Sequence, residues 1–105
     1  MYILTKVEEA FCPETYFYSN ANVGIALRDI KDALKYHANC EEDIFRIAKN
    51  LPDGESYESA VNDSAQFRVA KYRKRIDVEV AFHNHYGEVE QVWKLTYVNP
   101  NKYKS

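Results

Sequence analysis

The chain has 105 residues, with 16 acidic and 14 basic side chains and a formal net charge of −2. At 46% apolar residues it has the material for a globular core, which excludes a disordered, highly charged polymer. No apolar run approaches the ~18–20 residues that cross a bilayer, and no secretory leader is read at the start, so a cytoplasmic protein without membrane contact is expected.

One domain over 1–105 is expected, divided into a strand and extended segment (1–19), two helices (22–51), a three-stranded meander (66–98) and a tail (99–105). Residues 2–9 read as a strand, with Ile3, Thr5 and Val7 on one side and Tyr2, Leu4 and Lys6 on the other. Cys12-Pro13-Glu14 breaks it. Thr15-Tyr16-Phe17-Tyr18 has high β-propensity, yet four residues suit a packed loop equally well.

From Val23 to Ala38 the period turns helical. Val23, Leu27, Ile30, Leu34 and Ala38 recur at spacings of three and four and form one apolar stripe, with Asn22 as N-cap and Arg28–Asp32 as a pair on the polar side. A second helix is expected over Glu41–Leu51, capped by Asn39 with Glu42 three residues on. Pro52-Asp53-Gly54 ends it. Residues 53–65 read as an exposed polar connection.

The C-terminal third alternates. Gln66–Tyr72 is a strand that turns through 73–75. Ile76, Val78, Val80 and Phe82 then face one way, and Val89, Trp93, Leu95 and Tyr97 match them on the next strand. Pairing Phe82 with Val89 sets Val78 against Trp93, Asp77 against Lys94 and His83 against Glu88. The expected class is α+β: a two-layer sandwich, with an antiparallel sheet of three to five strands carrying both helices on one face, in the order β-(β)-α-α-β-β-β.

No catalytic set is legible, and no cofactor or metal is expected. His83-Asn84-His85 offers two imidazoles at i, i+2, but without the ligand spacing of a metal site. It is not the dispersed ββα-metal arrangement of HNH nucleases either. Cys40 beside His37 lacks a third group to orient the imidazole. Three glycines cannot build a phosphate-cradling loop.

Two charged blocks stand out. Arg68, Lys71, Arg73, Lys74 and Arg75 place five cations in eight residues beside Phe67 and Tyr72, a pattern that can contact phosphates and stack bases. Between Glu41 and Asp63, seven acids (Glu41, Glu42, Asp43, Asp53, Glu55, Glu58, Asp63) face Arg46 and Lys49, a local charge of −5. Tyrosine is abundant at nine, and Tyr16, Tyr18, Tyr57, Tyr86 and Tyr103 fall in expected loops or ends, where Tyr serves as a contact residue.

The element order and the run Arg68-Val69-Ala70-Lys71-Tyr72-Arg73 loosely resemble the middle strands of RelE/ParE-type toxins, small ribosome-dependent RNases or gyrase poisons. Ala70-Lys71 replaces the usual Gly-Asp turn, and the chain is acidic where those toxins are basic. The resemblance implies RNA contact by Arg68, Tyr72 and Arg73.

Two expectations follow. The first is a small non-catalytic binding protein with a protein partner, such as a phage or mobile-element inhibitor mimicking nucleic acid. There Glu41, Glu42, Asp43, Asp53, Glu55 and Glu58 would occupy a basic groove on a host nucleic-acid enzyme. The second is a nucleic-acid-binding module or small RNase using Arg68, Lys71, Tyr72, Arg73, Lys74 and Arg75, with His83 or His85 as acid or base.

Overall fold

The computed structural model describes residues 1–8 and 11–99. Strands β1 (Tyr2–Glu8) and β2 (Glu14–Tyr18) precede helices α1 (Val23–Ala38) and α2 (Ile44–Asn50). Strands β3 (Ser56–Asn62), β4 (Ala65–Tyr72), β5 (Arg75–His83) and β6 (Val89–Tyr97) complete the order. All six form one antiparallel sheet, ordered β2-β1-β6-β5-β4-β3. The class is α+β as expected, but the sheet has six strands where three to five were expected.

One face of the sheet makes the core. Leu4, Phe67, Val69, Val78, Val80, Trp93 and Leu95 share it and are buried with Leu27, Ile30, Leu34, Ile44 and Ala48 of the helices. Leu4, Ile30, Leu34, Ile44 and Leu95 are wholly excluded from solvent, and each contributes about 1.5–3 kcal/mol by leaving water. Lys6 keeps to this side at its margin. Its ammonium lies 4.1 Å from the Trp93 ring centre and 3.1 Å from Asp29 on α1. Gly24 lets the helices meet, because a Cβ there would stand 3.0 Å from the Phe45 ring. The opposite face carries no helix and leaves Val7 and Phe17 exposed.

Four local expectations are corrected. Asn39 does not cap α2. It closes α1 in the left-handed region at φ 51°, with its N–H and that of Cys40 returning to the carbonyls of Lys35 and Leu34. Asp43 is the real N-cap of α2, accepting from the Arg46 N–H at 3.3 Å, so this helix starts at Ile44 rather than at Glu41. Residues 56–62 are the edge strand β3, not a free connection. Edge strands bury little, which is why their pattern reads as polar.

The fourth correction is the register of β5 and β6. Val78 faces Leu95, Glu79 faces Lys94 and Val80 faces Trp93, two residues away from the expected pairing. A bulge between Phe82 and His83 accounts for one residue and a longer turn for the other. Asn84 builds that turn, its side chain accepting from the N–H groups of Tyr86 and Glu88 while Gly87 takes φ +80°. A slip of two leaves every side chain on its expected face.

Thr15–Tyr18 lies within strand β2, and Tyr16, Tyr18 and Tyr57 belong to strands rather than loops. Tyr103 and residues 100–105 of the expected tail lie outside the described residues. Among the described residues, no helix is long and apolar enough to cross a membrane.

Candidate nucleic-acid interface

The turn between β4 and β5 consists of Arg73 and Lys74, both in the left-handed region at φ 52° and 63°. Tyr72 pairs directly with Arg75 across it. Positive φ at both central residues marks a type I′ hairpin, a position that favours Asn-Gly. Bulky side chains there cost on the order of 1 kcal/mol or more each. The segment before β3 braces the turn. The Asp53 carboxylate accepts from the Lys74 N–H at 2.7 Å, the Gly54 N–H donates to the Lys71 carbonyl at 2.7 Å, and the Lys71 N–H donates to the Glu55 carbonyl at 3.0 Å.

The cations of this tip rest on aromatic rings. The Arg73 guanidinium is 5.2 Å from the Tyr72 ring centre and that of Arg75 is 4.2 Å from Tyr97. Such contacts are worth about 0.5–1 kcal/mol at exposed sites and hold the planar groups in place. Among the described residues, Arg73, Lys74 and Arg75 take part in no ion pair. Beside them opens a cleft of about 350 Å³, where Asn20, Val23 and Tyr97 join the three cations and no carboxylate lines the wall. On the far side of Arg75 and Tyr97, a cleft of about 220 Å³ includes Tyr72, 64% exposed, and one acid, Asp77.

Two of the expected basic residues are drawn elsewhere. Arg68 lies on the helix-free face and pairs with Glu58 at 3.3 Å. Lys71 turns its ammonium toward the carbonyl of Lys49 at the end of α2, 3.3 Å away. Tyr72, Arg73, Lys74 and Arg75 remain at the tip. Asn20 and Tyr97 were not singled out from the sequence. Asn20 carried no signal, and Tyr97 read only as a strand residue.

The acidic residues do not form one surface. Glu41 pairs with Lys35. Glu42 accepts from the hydroxyls of Tyr57 and Ser59, the latter at 2.7 Å, and its charge pushes the Tyr57 hydroxyl pKa up. Burial pushes the Asp43 carboxyl up, but the Arg46 N–H and the Lys31 ammonium at 3.5 Å outweigh it and hold it below its ordinary value. Asp53 is taken by the Lys74 N–H, and Glu58 sits across the sheet from Glu42, on the helix-free face. Of the six, Glu55 alone makes no side-chain hydrogen bond or ion pair.

His83 ends β5, eight residues from Arg75, or roughly 27 Å at ~3.4 Å per residue. Its Nδ1 lies 3.3 Å from the Gly87 carbonyl. His85 stacks on Tyr86. Both imidazoles are at the opposite end of the sheet from the basic tip. His37 packs edge-on against Phe82. Cys40 is buried, which pushes its thiol pKa up, and Cys12 is exposed. Among the described residues, no cluster of three or more His, Cys, Asp or Glu is placed to hold a metal.

No family model, curated protein or solved structure matches the chain. The likeness to RelE/ParE-type toxins therefore rests on six residues and an element order.

Proposed function

We infer that this chain is a non-catalytic binding protein whose ligand is a single-stranded nucleic acid, held at the β4–β5 tip. One observation carries the reading: Arg73, Lys74 and Arg75 sit unpaired at a strained, glycine-free turn beside an acid-free cleft. Stability alone would favour Asn-Gly there, so the cations answer to something outside the fold. Cations meet phosphates, and the exposed Tyr72 ring offers a stacking platform that an unpaired base can use. A ribonuclease with His83 or His85 as proton carrier gains nothing from the geometry, because both lie at the far end of β5. A protein partner docking on the acidic segment would need Glu41, Glu42, Asp43 and Glu58 to release the partners they already hold.

Fluorescence anisotropy with a labelled single-stranded oligonucleotide tests the proposal. Binding should weaken with salt at a log–log slope near about −2, the value for three phosphate contacts on a single strand. The variant Arg73→Ala/Lys74→Ala/Arg75→Ala should abolish it. No binding at low salt, or equal binding by that variant, removes the proposal.

A further inference from the structure

The two edges of the sheet differ in how they meet solvent. Edge β3 is broken by a register shift between Ser59 and Asn62, carries the charged Glu58, and has Tyr57 and Ser59 tied to Glu42. These features blunt strand addition. Edge β2 has none of them. It is a regular five-residue strand, Glu14 to Tyr18, in unbroken register with β1. Its residues Thr15-Tyr16-Phe17-Tyr18 include no charge and no proline. Four of its five residues are exposed, Phe17 at 64%. Its outward N–H and C=O groups make it a template for another strand.

We propose that β2 is the seam of a homodimer, in which a second copy adds its own β2 antiparallel about a two-fold axis at Tyr16. The occupant is argued from self-complementarity. That axis sets Tyr16 against Tyr16 of the second copy, Thr15 against its Phe17 and Glu14 against its Tyr18. The strand's one charge, Glu14, thus meets a phenol and not another carboxylate. On the helix-free face, Phe17 and Ile3 face each other within one chain. The two Phe17 rings then lie diagonally across the seam, within aromatic reach, and the apolar strip runs on from one copy to the next. An isologous contact of this kind closes on itself as a dimer and leaves both β3 edges outermost. The inference is independent of the nucleic-acid proposal.

Sedimentation of the full chain across a concentration series should move from 12.3 kDa toward twice that mass. Phe17→Lys, an exposed change checked for folding by circular dichroism, should raise the dissociation constant by about tenfold or more. Register is read separately by oxidation. In a Cys12→Ser background, Tyr16→Cys should form an intermolecular disulfide, whereas Glu14→Cys, which faces Tyr18, should not. A 12.3 kDa species at every concentration overturns the proposal. So does a Phe17→Lys dimer of unchanged affinity, or equal cross-linking at positions 14 and 16. A monomer that takes up foreign extended peptides along β2 overturns it as well.

Discussion

The acidic segment and the basic tip carry similar amounts of charge in similar lengths of chain, yet they stand in opposite relations to the fold. The carboxylates of Glu41, Glu42, Asp43, Asp53 and Glu58 each hold a donor or cation of their own chain. Arg73, Lys74 and Arg75 hold none by ion pairing among the described residues, and they occupy backbone positions that argue against them. A local charge sum counts both regions alike. What separates them is whether the charge already has a partner, since a satisfied carboxylate must lose that partner before it can bind another.

The comparison can be broken most sharply at the tip. Removing Arg73, Lys74 and Arg75 together should cost about a hundredfold in oligonucleotide affinity, roughly 1 kcal/mol per cation, with the melting temperature unchanged or raised. Glu42→Ala should do the reverse. It strands the hydroxyls of Tyr57 and Ser59 and should lower stability by about 1–2 kcal/mol in chemical denaturation, with oligonucleotide affinity unaltered.

Asp43→Ala should cost about 1 kcal/mol through the lost cap of α2. The folded carboxyl is more acidic than the unfolded one. Its contribution is therefore full above the ordinary carboxylate value near ~3.9 and is lost as pH falls through the folded value. Asp43→Asn keeps a capping side chain and should flatten that acid limb in a stability–pH profile. Replacing Arg73-Lys74 by Asn-Gly should raise stability by about 0.5–1 kcal/mol while weakening binding, separating what the turn wants from what the ligand wants. Arg68→Ala should change stability by under about 0.5 kcal/mol, because its pair with Glu58 is exposed.

Much of the fold was legible because burial writes itself into sequence. The stripe of α1 and the alternation of β5 and β6 are the marks of elements with one face in the core. The misreadings fall where that pressure is weak. Strand β3 buries almost nothing, so Ser56-Tyr57-Glu58-Ser59 looks like a loop. Asn39 suits a cap at either end of a helix, and only the chain's reversal at φ 51° decides between them. The bulge at Phe82–His83 leaves no mark in a two-residue period. At the candidate site, the basic run was plain, but the strain at Arg73-Lys74 and the cleft wall of Asn20 and Tyr97 depend on segments far apart in sequence.

Asp53 has a consequence for how the tip can be studied. Its carboxylate holds the Lys74 N–H from outside the hairpin, reaching back 21 residues. A synthetic hairpin spanning 65–83 would carry every cation and still lack the group that keeps Arg73 and Lys74 in their left-handed geometry. Such a peptide should lose its shape before it loses its charge, so a minimal mimic of this surface must include residue 53.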